Sequence, residues 1–306
     1  MLLIGSQALR IGLEKVGKAL GRVPADFDLF VRPTDIIPTT AMGLSYVSST
    51  SNKTLFKASD GKMFEVEVAT PGSSTELYLD YAEKMAVLPQ TDVYGMKADV
   101  APLDMLYSIK RAHRHSPRRF ERHVKDYNYL RQLCGTDSFA RITKLRYQET
   151  VEREKLRTPS LNKSTMEFFD DAISNRTFVH DQIHEVMAFG NRPLFERIKI
   201  DPNKVTCSKE KFLALSGEER DHCVQEEAYV IALERGIIPM LFADGPMVTP
   251  IGAYKWALMR ICTTLCSGWF REYALENYDN LMLKYNWGYT HKFLDAVESG
   301  RIERIK

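Results

Sequence analysis

Along the first third of the chain, apolar residues come in short runs or in alternation. Along the rest they recur every three or four positions. Residues 2 to 4 form a short apolar run that reads as a strand and leads into Gly5-Ser6. Leu9, Leu13, Val16 and Leu20 then recur at helical spacing. They predict a helix from Ser6 to about Leu20, ended by Gly21 with Pro24 just beyond. Asp26 to Val31, Leu44 to Ser49 and Thr54 to Ala58 read as strands. Asp60-Gly61 is a hairpin turn signal. It leads into KMFEVEVAT, residues 62 to 70, whose centre alternates strictly. A helix follows from about Ser74 to Met85, then a short strand from Met96 to Val100. Pro102 opens a helix to about His115, because proline suits a first helical position. Pro117 restarts a helix that ends near Leu133, with Gly135 after it.

From about Phe139 strand signals almost vanish. Amphipathic stretches cover Ser138 to Leu156, Lys163 to Phe189, Gly217 to Arg235, Gly252 to Tyr278 and Tyr289 to Ile305. The pattern therefore predicts an α+β chain: a mixed sheet with flanking helices over residues 1–135, then a mostly helical domain over 136–306. A length of 306 residues suits two domains better than one core.

Charge narrows the function classes. The net charge is +2, so the molecule as a whole is no electrostatic glove for nucleic acid, and any basic surface is local. The five cysteines lack zinc-ribbon spacing and suggest free thiols in a reducing compartment. Cys262 and Cys266 are one helical turn apart, too little to define a metal site. The start, MLLIGSQALR, lacks the basic and long apolar regions of a signal peptide. The most apolar stretch, Ile237 to Phe270, is broken by Asp244, Pro250, Lys255 and Arg260. It fits a core helix pair better than a membrane span. The expectation is a cytoplasmic protein without membrane contact.

The candidate chemistry lies in the acids. In a strand, residues i and i+2 share a face, roughly 6.5 to 7 Å apart. Within PADFDLF, residues 24 to 30, Asp26 and Asp28 therefore point one way while Phe27, Leu29 and Val31 point to the core. Phe30 continues the acid face and closes one end of it. Glu65 and Glu67 likewise share a face, with Phe64, Val66 and Val68 on the other. Side by side, two such strands gather up to four carboxylates, whose repulsion needs neutralising. Mg²⁺, which prefers oxygen ligands, does this. Two such ions about 4 Å apart hold the attacking and leaving oxygens of a phosphoryl transfer. Alternating acids are also how a solvated sheet face looks. Gly5-Ser6 follows a strand and opens a helix, where free N–H groups and the helix dipole favour phosphate. Alone, it is an N-cap.

Taken together, LLIGSQALRIGL followed by ADFDLFV resembles the nucleotidyltransferase superfamily, the polymerase-β-like fold. It is similar to the poly(A)-polymerase and CCA-adding head and to the abortive-infection and toxin-type nucleotidyltransferases. The resemblance covers about the first 135 residues. It implies a nucleotidyltransferase-like catalytic domain in which Gly5 and Ser6 hold a triphosphate. Asp26 and Asp28 would bind two Mg²⁺ ions, and Glu65 or Glu67 would supply a third carboxylate that helps activate an acceptor hydroxyl. The gap from Ser6 to Asp26 is longer than in minimal members, and a glutamate stands where the third acid is usually aspartate.

Residues 110 to 125, KRAHRHSPRRFERHVK, hold seven lysines or arginines and three of the seven histidines. A solvated helix face reads this way; so does a phosphate-binding one. By resemblance Lys110 faces the nucleotide's phosphates, and Lys125-Asp126 supports the site. The excess of Arg111, Arg114, Arg118, Arg119 and Arg122 suits an RNA or DNA backbone, or an acidic protein. RNA is favoured slightly over protein as acceptor. The helical domain would bind the acceptor or partner. A catalytically degenerate binding module for RNA or protein is the alternative.

Other patterns read as structural. HDQIHE puts His180 and His184 one turn apart, but Asp181 stands where a zincin has glutamate. His222-Cys223 offers no obvious third ligand. The acids of EERDHCVQEEAY, 218 to 229, read as helix surface, and Tyr285, Trp287, Tyr289 and Phe293 as core packing.

Overall fold

The computed structural model describes residues 1–85, 87–114, 116, 120–157, 178–187, 195–197, 205–207, 209–233, 249–265 and 268–303. It is an α+β chain with an N-terminal mixed sheet and a mostly helical C-terminal part. Two compact units emerge. One comprises Met1–Arg114 with Lys125–Leu156, the other His115–Val124 with Arg157–Lys306. The first unit thus reaches 21 residues beyond the expected boundary at 135 and leaves out residues 115–124.

In the first unit β1 (Leu2–Ile4) runs directly into α1 (Gly5–Lys15). Strands β2 (Asp26–Val31), β3 (Ser45–Ser49), β4 (Lys53–Lys57) and β5 (Met63–Val68) follow, then α2 (Ser74–Lys84). The unit continues through β6 (Gln90–Val93), β7 (Met96–Val100), α3 (Leu103–His113), α4 (Phe120–Cys134) from Lys125 onward, and α5 (Ala140–Arg157) as far as Leu156. Helix α1 stops five residues earlier than its apolar spacing predicts. Gly17 takes φ 69°, which L side chains resist, and Val16 is exposed rather than core. Strand β6 was not expected, since QTDV shows no apolar alternation. It exists because Tyr94 (φ 54°) and Gly95 (φ 84°) turn the chain back into β7.

The seven strands lie in the order β3-β4-β5-β2-β1-β7-β6. β2 is antiparallel to β1 and parallel to β5; β4 and β5 form the antiparallel hairpin that Asp60-Gly61 announces. The N-terminal half of β2 has one apolar face, as alternation predicts. Its C-terminal half does not: Leu29, Phe30 and Val31 are all buried. Phe30 lies near Tyr78 of α2, ring centroids 6.0 Å apart, and 5.0 Å from the Arg146 guanidinium of α5. Tyr78, Ser108 of α3 and Thr143 of α5 form a buried hydroxyl chain, at 2.5 and 2.6 Å. Helices α2, α3 and α5 therefore meet over this end of the acid-bearing face. On the other face Phe27 and Phe64 stack at 4.8 Å with Tyr94 edge-on at 5.2 Å to Phe64.

The second unit contains helices α6 (His180–Met187), α7 (Lys209–Ala214), α8 (Gly217–Ala232) and α9 (Pro250–Arg260), and a π-helical turn at Ile261–Leu265. Helices α10 (Gly268–Glu276), α11 (Tyr278–Leu283) and α12 (Trp287–Glu298) complete it. A two-stranded hairpin, Phe195–Arg197 with Val205–Cys207, lies where no strand was expected. Helix α8 starts with a full capping box between Ser216 and Glu219. Of its acids, Glu218 and Glu219 are exposed as the sequence suggests, but Asp221, Glu226 and Glu227 are buried. Asp221 accepts hydrogen bonds from Tyr273 (2.8 Å), Asn280 (2.9 Å) and Lys284 (2.8 Å). Burial of a carboxylate is tolerable with that many donors. Tyr285 and Tyr289 join Tyr229 and Tyr254 in an aromatic cluster, and Phe293 packs on Phe178. Trp287 instead stays half exposed beside His291. The side chains of His180 and His184 lie outside the described residues. Among the described residues no helix is long and apolar enough to cross a membrane.

Candidate active site

The strand register decides which acids meet. Ile4 of β1 pairs with Asp28 of β2, and Asp28 with Glu65 of β5. Neighbouring strands lie about 4.8 Å apart. Asp28 and Glu65 therefore stand side by side, with Asp26 one pleat along on the same face. Helix α1 begins immediately beyond Ile4. Gly5 takes φ 69°, and a Cβ built on it would fall 1.9 Å from Asp28 Oδ2. The glycine thus lets the helix start press against the carboxylate. Ser6 is buried next to it.

Asp28 carries the electrostatic consequence. Burial pushes its pKa up to about 7, and the nearby carboxylates Glu65 and Asp26 push the same way. Lys110 and Lys53 oppose the rise without cancelling it. A bound cation would relieve both the burial of this charge and its repulsion by the neighbouring carboxylates.

Glu67 does not join this group. It is 3% exposed, and Arg146 holds both its oxygens, Nη2 at 2.8 Å and Nη1 in a shorter contact. Thr75 donates to it as well. The register partner of Glu67 on β2 is Phe30, whereas that of Glu65 is Asp28. Of the two glutamates, Glu65 is the one beside the aspartates, and Glu67 is a structural anion joining β5 to α2 and α5. Arg146, 1% exposed, stood out in no sequence pattern, because it sits in an ordinary charged helix.

A cationic cluster borders Ser6. Lys110 of α3 is buried and pairs with Asp126 of α4 at 2.8 Å. Arg22 reaches the same carboxylate at 2.7 Å and donates to Ser6 Oγ at 3.3 Å. Burial raises the pKa of Asp126, but Lys110 and Arg22 outweigh it and hold the group below the usual carboxylate range. The Lys110 charge also opposes the rise in the pKa of Asp28. Lys125 is exposed, and it is Asp126 that anchors the cluster. Arg22 was missed in the sequence, where it sits in a loop between two elements.

The arginines are less available than their density suggests. Arg111 pairs with Asp137 at 3.2 Å. Arg114 donates to the Arg111 carbonyl at 2.5 Å and lies over the Tyr127 ring. Arg122 is half-buried. Arg118 and Arg119 lie outside the described residues.

Lys53 of β4 was also missed. Counting outward from the Asp60-Gly61 turn puts it directly across from Glu67. Its ammonium is 3.2 Å from Glu67 and closer still to Glu65.

Among the described residues no group of three or more His, Cys, Asp or Glu forms a ready-made metal cage. The donor set still fits magnesium. Asp26, Asp28 and Glu65 offer hard oxygens, and Mg²⁺ is commonly held by one or two carboxylates, with phosphate oxygens and water completing its shell.

Residues 105–295 match the family described as Domain of unknown function (DUF7275). No curated protein and no solved structure matches the chain. The matched span opens within α3. It contains Lys110, Asp126 and Arg146, while the acid-bearing strands β2 and β5 precede it.

Proposed function

The chain belongs to the DUF7275 family, and from the geometry of its N-terminal unit we propose that it is a Mg²⁺-dependent nucleotidyltransferase, moving an NMP from an NTP to a hydroxyl. The observation that supports this reading best is one relationship. Asp28 stands beside Glu65 across two parallel strands, and the helix that starts at Gly5-Ser6 is packed against it.

Each part has a task in such a reaction. The backbone N–H groups at the start of α1 and the Ser6 hydroxyl bind the terminal phosphates. Lys110 adds a fixed positive charge beside them. Asp26 and Asp28 would hold Mg²⁺, which would supply positive charge to the phosphate oxygens. A bond forms between the acceptor oxygen and the α-phosphorus, and the bond to pyrophosphate breaks. The hydroxyl proton leaves towards the carboxylate face, where Glu65 stands. RNA is the acceptor we favour slightly over protein, because residues 110–125 hold seven lysines or arginines. Cys134, Cys223 and Cys262 form no disulfide, which supports a cytoplasmic setting.

A labelling experiment tests the reading. The full chain is incubated with each NTP labelled at the α-phosphate, Mg²⁺ and a mixture of cellular RNA and protein, beside an Asp26→Asn/Asp28→Asn variant. The expected result is label in RNA that is lost in the variant. Label in protein instead replaces the acceptor. No label with any NTP, from a chain that binds RNA equally with and without the aspartates, overturns the enzyme in favour of a binding module.

A further inference from the structure

The acid face contains a cation of its own. Lys53 projects from β4, the strand next to β5 on the side away from β2. The hairpin register places it opposite Glu67, one diagonal step from Glu65. Its ammonium contacts both glutamates, at 3.2 Å from Glu67 and closer to Glu65. Neither contact is incidental to a flexible surface lysine. Lys53 is only 20% exposed, and Glu67 is pinned from its other side by Arg146.

The consequence concerns how many metal ions the site holds. Two divalent ions in a phosphoryl-transfer site lie about 4 Å apart and need a carboxylate for each. Asp26 and Asp28 can serve one. The only further carboxylates on this face of β2 and β5 are Glu65 and Glu67. Glu67 is consumed by Arg146 and Thr75, and Glu65 is already neutralised by Lys53. A second divalent ion on Glu65 would have to sit against an ammonium, at a separation where like charges repel strongly even with protein screening. A lysine ammonium is a compact, strongly localised charge, suited to occupying an ion's place.

We propose that Lys53 stands in for a second divalent cation: the site takes one Mg²⁺, on Asp26 and Asp28, and the Lys53 ammonium supplies the remaining positive charge at Glu65. The inference rests on the nucleotidyltransferase reading of the same face.

The test counts metal rather than turnover. Mn²⁺ bound per chain is measured by electron paramagnetic resonance with one equivalent of the α,β-methylene analogue of ATP, which binds but does not react. Wild type is expected to hold one Mn²⁺ per chain. Lys53→Met is expected to hold two, because Glu65 is released, and Lys53→Met/Glu65→Gln to return to one. Lys53→Arg, which keeps the charge, is expected to stay at one. Should the methionine variant not fold, Lys53→Gln serves in its place. Two Mn²⁺ on the wild type overturns the inference, and so does a count of one on the folded neutral variants. A wild type that holds neither Mn²⁺ nor the analogue overturns the nucleotidyltransferase reading itself, which separates the two failures.

Discussion

Gly5 and Asp28 are packed so closely that a methyl group on Gly5 would fall 1.9 Å from Oδ2 of Asp28 and 3.0 Å from its Cβ. Gly5 also takes φ 69°, where an L side chain is strained. Two penalties thus apply to Gly5→Ala, one steric and one conformational. The variant is expected to lose roughly 1–3 kcal/mol from the backbone alone, read from urea unfolding. Adding Asp28→Ala should recover the steric part and leave the backbone part. Simple additivity of the two substitutions would show that the contact is not what makes glycine necessary.

Asp28 gives a pH dependence with a definite sign. Its folded pKa lies near 7 and the ordinary value is 3.8. The folded chain therefore holds this proton more tightly than the unfolded one. Its contribution to stability is fully present below about pH 4 and is lost as the pH rises through 7. Asp28→Asn should raise the thermal midpoint of the metal-free protein at pH 8 and barely change it near pH 4. Mg²⁺ at pH 8 should stabilise wild type more than the variant. A variant less stable than wild type at pH 8 without metal contradicts the account.

Glu67 and Arg146 make an opposite prediction. Removing one member of a buried pair leaves an uncompensated charge, at a cost of about 3–5 kcal/mol. Arg146→Ala and Glu67→Ala should each destabilise the chain by that order in chemical denaturation. Arg146→Met/Glu67→Leu should cost much less than the sum. Glu67→Gln should retain metal binding, because Arg146 already holds both Glu67 oxygens. Loss of Mn²⁺ binding in a folded Glu67→Gln protein would return it to the site.

Asp126 acts through the cations it holds. Its depressed pKa means that its share of stability is present above the ordinary carboxylate range and is lost as the pH falls through the folded value. Asp126→Asn should weaken binding of a non-reacting NTP analogue, because Lys110 and Arg22 lose their anchor. It should also flatten the acid limb of the stability profile below pH 4. Unchanged affinity by calorimetry would remove Lys110 from the phosphate site.

Much of the site was readable in order along the chain. Gly5-Ser6 before a helix, Asp26 and Asp28 two apart, Glu65 and Glu67 two apart and the Asp60-Gly61 turn are local patterns, and local patterns survive folding. What failed were inferences about neighbours. Alternation assigned Phe30 and Glu67 to the acid face correctly, but only α2, α3 and α5 packing over that end buries them. The acids of α8 looked solvated because a one-dimensional pattern does not reveal that Tyr273, Asn280 and Lys284 surround Asp221.

The sequence by itself determined the elements and the residues they carry: a mixed sheet before helices, a Gly-Ser helix start, and acids alternating along two strands. These follow from side-chain period and turn chemistry, which act over a few residues. Only the tertiary structure decided which acids share a site. Choosing Glu65 over Glu67 depends on Arg146, 79 residues along the chain from Glu67. Fixing the charge beside Glu65 depends on Lys53 across a hairpin. Charges interact through space, so the environment of each carboxylate is set by partners that sequence distance does not order.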